Sequence, residues 1–329
     1  MNSKTTKTFA MRKFFKVLLI IIVIIIVAVA GMAFYISQRS IPKYAVHKID
    51  IKVESTPARV TQGRKLASML CRSCHYNPKT DEFTGRELTE APQFGKIYSA
   101  NITHDTTIGI GKWSDGDLIS FIRTGIKPDG QYVPPYMPKL IHISDEDLYS
   151  IISFLRSDDP WLKANPEHMP ASKPGFLTKF LVTIGAAKPF DFPSHVIPGP
   201  DTTNKIAWGR YIALYQMECY SCHSKSFAKN DYNEPEKSPG FFGGGNQMYD
   251  TDGKEIYSLN ITPDKNTGIG NWTEAQFINA VKSGTVPTGP PSLRNPMQPY
   301  VGLTDEELSA IYAYLRTVPP IDNKVERKF

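Results

Sequence analysis

The first pattern along the chain is a block, not an alternation. From Val17 to Ile36 it runs 20 residues without a charge. At helical rise that length matches the hydrocarbon core of a bilayer. Later apolar positions recur in helical order. Leu148, Ile151, Ile152 and Leu155 follow the i, i+3, i+4, i+7 spacing, and so do Leu308, Ile311, Tyr312 and Leu315. Each series begins after a polar cap, Ser144 or Thr304, and the acidic residues that follow suit the positive end of a helix. Ser114 and Thr273 open two shorter helices, with Asp117 and Gln276 placed for capping boxes. Leu118 and Ile122, or Phe277 and Val281, give their apolar faces. No convincing alternating strand is visible. The pattern predicts an all-α protein, with one transmembrane helix followed by small helical units.

The units are two copies in tandem. "NITHDTTIGIGKW" (101–113) and "NITPDKNTGIGNW" (260–272) agree at eight of thirteen positions. "GRKLA" (63–67) pairs with "GRYIA" (209–213), and "GKIYSANIT" (95–103) with "GKEIYSLNIT" (253–262). "WSDGDLISFIRTG" (113–125) pairs with "WTEAQFINAVKSG" (272–284), and "SDEDLYSIISFLR" (144–156) with "TDEELSAIYAYLR" (304–316). The order is the same in both. Gly63 and Gly209 sit where a missing side chain would let the first and last helices of each unit approach closely. The expected organisation is a basic tail at 1–13, a transmembrane anchor at 14–36 and a linker at 37–58. The first domain follows at 59–156, a Pro-rich connector at 157–203, the second domain at 204–318 and a tail at 319–329. Within the connector, the apolar stretch "GFLTKFLVTIGA" (175–186) is expected to pack in the crease between the domains, with membrane-surface contact as the alternative.

Charge refines this picture. The formal net charge is +6, but residues 1–49 hold eight Lys or Arg and no acidic residue. Of the 38 basic residues, 30 therefore face 32 acidic ones over the rest of the chain. Basic character belongs to membrane orientation, not to a nucleic-acid surface, and no basic patch with interleaved aromatics appears. Lys4, Lys7, Arg12, Lys13 and Lys16 before the apolar run place the N-terminus in the cytoplasm and everything after Ile36 outside. The expected location is a bacterial inner membrane, single-pass, with the bulk in the periplasm. Ala28-Val29-Ala30 resembles a cleavage site, so a cleaved signal peptide is the alternative; the length of the apolar run favours the anchor.

All four cysteines fall in two motifs, "CRSCH" (71–75) and "CYSCH" (219–223). C-x-x-C-H is the attachment sequence of a c-type haem. Two thiols on one helical turn can each add to a vinyl group of the same porphyrin, and the adjacent histidine can bond the iron. A zinc site would pair such units 15–20 residues apart, and a thioredoxin-like pair would want a βαβ setting. The reading is therefore two covalent haems, with Cys71, Cys74, His75 and Cys219, Cys222, His223 holding them.

The other axial position needs a partner. Met137 and Met297 each lie seven residues before a helix cap, in "PPYMPKL" and "RNPMQPY". A lone methionine is usually core filling, but two in matched register favour ligation, as in His/Met cytochromes. Met69 and Met217 precede the haem cysteines and fall on the histidine side of the ring. His104 and His142 are rivals in the first unit only, since the second has Pro263 and Gly302 in those places. His47, His168 and His195 lie in linkers and gain no role. Trp113, Trp272 and the loop glycines Gly109, Gly111, Gly268 and Gly270 are expected to form pocket wall against the porphyrin. Six-coordinate iron leaves no substrate position, which favours electron transfer over catalysis.

In this order of motifs the chain resembles class I c-type cytochromes. It is most similar to the cytochrome c subunits of membrane-bound alcohol, aldehyde and sugar-acid dehydrogenases, over residues 59–156 and 201–318. The first loop departs from the pattern at His104 and Ile108. The resemblance implies a membrane-anchored diheme electron carrier in a respiratory chain and not an enzyme. Its redox partners would be a dehydrogenase or quinol-oxidising complex and a terminal oxidase. A diheme cytochrome c peroxidase and the diheme subunit of a cbb3-type oxidase share the doubled motif.

Overall fold

The computed structural model describes residues 3–326, apart from 251, 288, 290, 291 and 294. The outermost residues of the two expected tails, 1–2 and 327–329, lie outside that range. Helix α1 (Ser3–Gln38) contains the apolar run, and its stretch from Lys13 to Gln38 is long and apolar enough to cross a membrane. None of its most apolar window is covered by protein, while Ile36, near its end, is only 2% exposed.

The first half begins with α2 (Pro57–Leu70), capped by Thr56 with Pro57 at its first turn, and α3 (Arg72–His75). After a 3-10 turn at Pro92–Phe94 come α4 (Asp115–Thr124) and α5 (Asp145–Leu155). The connector holds a 3-10 turn at Pro160–Leu162 and α6 (Phe176–Thr183). The second half repeats the order with α7 (Lys205–Tyr211), α8 (Cys219–His223), α9 (Glu274–Ser283) and α10 (Asp305–Leu315). A π-helical stretch, Ile212–Gln216, extends α7 towards the cysteines. The capping boxes read at Ser114–Asp117 and Thr273–Gln276 are formed, and Thr304 with Glu307 makes a third.

The glycines do what their placement suggests. A Cβ on Gly63 would lie 1.8 Å from the Ser150 carbonyl oxygen, and one on Gly209 would lie 1.8 Å from that of Ala310. The backbones of α2 and α5, and of α7 and α10, are thus in direct contact.

Two short antiparallel ribbons stand beside the helices. β1 (Gly95–Lys96) pairs with β2 (Lys173–Pro174), with Gly95 opposite Pro174. β3 (Gln247–Tyr249) pairs with β4 (Glu255–Tyr257), with Met248 opposite Ile256. Strands of two or three residues are too short to show alternation, which is why the hydropathy pattern gave no sign of them.

The connector departs from expectation. α6 does not fill the crease between the halves. Thr178 and Val182, four apart on one face, turn towards the first half. The Thr178 hydroxyl donates to the Phe94 carbonyl, and Val182 clusters with Tyr132 and Ala187. The crease itself is polar as well as apolar. Tyr211 Oη donates to Asp147 Oδ2 at 2.6 Å and accepts from the Ser144 amide, and Lys65 pairs with Glu307 at 2.6 Å. Around these bonds buried apolar residues from both halves form one continuous cluster, from Leu66 to Val318.

Candidate functional site

α8, and α3 together with its N-cap Cys71, each present a C-x-x-C-H run as one helical turn, which sets the two thiols and the imidazole side by side. Cys71, Cys74, His75 and Met137 line one cavity of about 1350 Å³. Cys219, Cys222, His223 and Met297 line a second of about 400 Å³. The eight residues expected from sequence are thus gathered into two sets of four.

Each histidine is held the same way. Nδ1 of His75 lies 2.8 Å from the Ala100 carbonyl oxygen, and Nδ1 of His223 lies 2.7 Å from that of Leu259. A carbonyl only accepts, so the proton sits on Nδ1 and the Nε2 lone pair is left for a metal. Burial lowers both imidazoles below the usual histidine value. It also pushes the Cys71 and Cys219 thiols up to about 12, the neighbouring cysteine adding to the effect. Thiols kept protonated are poor redox nucleophiles, and none of the four is in a disulfide. The two pairs do not converge on a shared metal centre: among the described residues no group of three or more His, Cys, Asp or Glu could hold one.

Helices α4 and α9 build the opposite walls, with Trp113, Leu118 and Phe121 in the first cavity and Trp272, Phe277 and Val281 in the second. They also fix the methionine loops. The Leu140 amide, three residues after Met137, donates to the Ile122 carbonyl at 3.0 Å. The Tyr300 amide, three after Met297, donates to the Val281 carbonyl at 2.9 Å. In the first half the buried Arg123 adds bonds to the carbonyls of Leu140, Ile141 and Ile143 and an ion pair with Asp145. Thiols, an imidazole nitrogen, a thioether and apolar walls are the donor set and surroundings that fit a covalently tethered porphyrin iron.

The repeated loop is organised by its asparagine. Oδ1 of Asn101 accepts from the amide and hydroxyl of Thr103, and its Nδ2 donates to the carbonyls of Asn165 and Glu167. Asn260 repeats this with Thr262 and the Ile321 carbonyl. The loop glycines have a different job from the one their sequence suggests. Cβ atoms on Gly109 and Gly268 would meet the carbonyl oxygens of Thr103 and Thr262 at 2.4 and 2.3 Å. Those on Gly111 and Gly270 would meet the carbonyls of His104 and Pro263. These glycines close the loop on its own start, and only Gly109 and Gly268 also face a cavity. Replacing Asn260 by alanine is expected to leave the buried Thr262 amide unpaired and to take one bond each from the Thr262 hydroxyl and the Ile321 carbonyl. It should lower stability by about 2–3 kcal/mol, read as an unfolding midpoint in denaturant; an unchanged midpoint would remove the asparagine from this role.

The rival histidines are occupied elsewhere. Nε2 of His104 is 2.8 Å from the Leu155 carbonyl oxygen, and Nε2 of His142 is 2.9 Å from that of Tyr232. His168, given no role by sequence, lines the first cavity together with Met169, so the connector supplies part of its wall. Sequence reasoning also missed the partition between the cavities. Met217, Glu218, Ser221, Cys222, Pro296 and Tyr300 border both. Burial pushes Glu218 up to about 8 and Lys139 down to about 7, each partly offset by the other's charge. The Lys139 ammonium donates to the carbonyls of Pro134 and Met137. In the repeat these two positions are Leu70 and Pro299, so a break in the repeat was the only signal.

Proteins similar to this chain include cytochromes c and cytochrome c subunits. Residues 212–319 match the cytochrome c family. The cytochrome c subunit of the quinone alcohol dehydrogenase of Gluconacetobacter polyoxogenes is 26% identical over 76% of this chain and 54% of its own length. The fructose dehydrogenase cytochrome subunit of Gluconobacter japonicus is 27% identical over 81% of this chain and 55% of its own. A diheme cytochrome c-type protein of Cereibacter sphaeroides is 28% identical over 77% and 83%. The chain spans about half the length of the first two. Residues 212–319 thus match the cytochrome c family, in a chain similar to the cytochrome c subunits of dehydrogenases.

Proposed function

We propose that this chain is a membrane-anchored carrier of two covalent haems. It would pass electrons in a respiratory chain from a dehydrogenase or quinol-oxidising complex towards a terminal oxidase. The observation that carries the reading is the repetition of one complete donor set in each half, with each histidine Nδ1 tied to a backbone carbonyl. Residues 59–156 and 204–318 are then two tandem cytochrome c units, joined by 157–203. Cys71, Cys74, Cys219 and Cys222 tether the groups, His75 and His223 offer Nε2, and Met137 and Met297 offer thioethers. Haem c would supply a one-electron iron couple there, and a thioether donor in addition to histidine would raise its potential. The protein's own contribution is to hold the four donors, keep water off with Trp113, Trp272 and the α4 and α9 walls, and set the two cavities against one partition.

The uncovered apolar face of α1 supports an anchor, because no aqueous surface tolerates so large an apolar patch. The basic residues before it support export of the rest across a bacterial inner membrane. Relatives that serve as dehydrogenase cytochrome subunits support a dehydrogenase as electron donor and a carrier's role in place of catalysis.

Affinity purification of the full chain from native membranes tests the assignment. The expected result is a co-purifying dehydrogenase or quinol-oxidising complex whose substrate reduces the haems, with slow reaction of the reduced protein with peroxide. Co-purification of a haem–copper oxidase core would make it an oxidase subunit instead. Rapid peroxide turnover would make it a peroxidase.

A further inference from the structure

Helix α6 is apolar on two faces. Its inner face, Thr178 and Val182, is buried against the first half. On the outside, Phe176 is 51% exposed, Leu177 48% and Ile184, at the C-cap, 58%. Phe180 lies between them, its ring stacked on that of Phe176 at 6.1 Å. At about 100° per residue these four side chains fall within an arc of about 100°, on the side away from Thr178 and Val182. A solvent-facing helix would carry polar residues on that arc.

The position of α6 says what covers it. Lys179 Nζ donates to the Ser37 carbonyl at 2.6 Å, and Ser37 is the residue after the apolar run of α1. α6 packs on this end of α1, where a spanning helix leaves the hydrocarbon, and Ile36 is buried there. Charge agrees with the place. Residues 168–190 contain Lys173, Lys179 and Lys188 and no acidic residue.

The geometry points to α6 as a second membrane contact. It lies in the plane of the interface, with Phe176, Leu177, Phe180 and Ile184 in the acyl boundary and its lysines at anionic headgroups. This inference rests on α1 being an anchor. It carries a consequence for the site: Lys173, Lys179, Arg39 and Ile41 border the first cavity, so α6 would hold that cavity near the bilayer surface and not free to swing on the linker.

The test uses the full haem-loaded chain in nanodiscs of phosphatidylcholine and phosphatidylglycerol that include a lipid with a diazirine in its acyl chain. After irradiation, labelled peptides are mapped by mass spectrometry. Label is expected in the anchor and also in 175–186. The F176S/L177S/I184S variant should lose it from 175–186 by about fivefold or more while the anchor label stays. A labelled anchor with 175–186 no more labelled than the exposed segment 201–205 overturns the inference and leaves the anchor standing. No label in either segment removes the anchor reading, and this inference with it.

Discussion

Met297→Ala is expected to leave the second haem covalently attached while removing its sixth ligand. The ferric Met–iron charge-transfer band of that haem should vanish, small ligands such as cyanide should bind, and its potential should fall by about 0.1 V or more, within the range axial ligands control. The substitution is clean because the loop does not depend on the thioether. The Tyr300 amide still bonds the Val281 carbonyl, and the tether and His223 lie on another segment. Met137→Ala should do the same to the first haem, with Arg123 keeping its loop in place. If either variant keeps its full charge-transfer intensity, that methionine is not the ligand.

The second large effect is mechanical. Gly209→Val puts a branched side chain where even a Cβ would lie 1.8 Å from the Ala310 carbonyl oxygen. The obstacle is helix backbone, so no side-chain rotation relieves it, and α7 and α10 must part. That also pulls on Tyr211, whose hydroxyl bonds Ser144 and Asp147 across the crease. The cost is expected to be about 3 kcal/mol, a fall in melting temperature on the order of 10 °C. Gly63→Val should act alike through the Ser150 carbonyl. Gly199→Ala, with nothing within 4 Å of its added carbon, is the control and should melt as the parent does. A Gly209→Val protein that also melts as the parent would contradict the close packing of α7 on α10.

What the sequence revealed was mostly local or repeated. Caps at Ser114, Ser144, Thr273 and Thr304 are written in four-residue windows, and all of them formed. The candidate donor sets could be read because the duplication made chance coincidence visible: His104 fails to recur and is bonded to Leu155, whereas Met137 and Met297 recur and line cavities. Tertiary relations were not legible. The single core across both halves, the partition with Glu218 and Tyr300, and the place of α6 depend on residues far apart in the chain and present in only one copy. The loop glycines mark the boundary between the two cases. Their importance could be read from the repeat, but the atoms they avoid are backbone carbonyls of their own loop, which no residue pattern encodes.

The central claim is that each half holds its own haem. Pyridine haemochrome content against protein, with the intact mass of the full chain, measures it most directly. A c-type spectrum and two haems per chain are expected, falling to one when either Cys71 and Cys74 or Cys219 and Cys222 are replaced by alanine. One haem or none in the parent chain would contradict it.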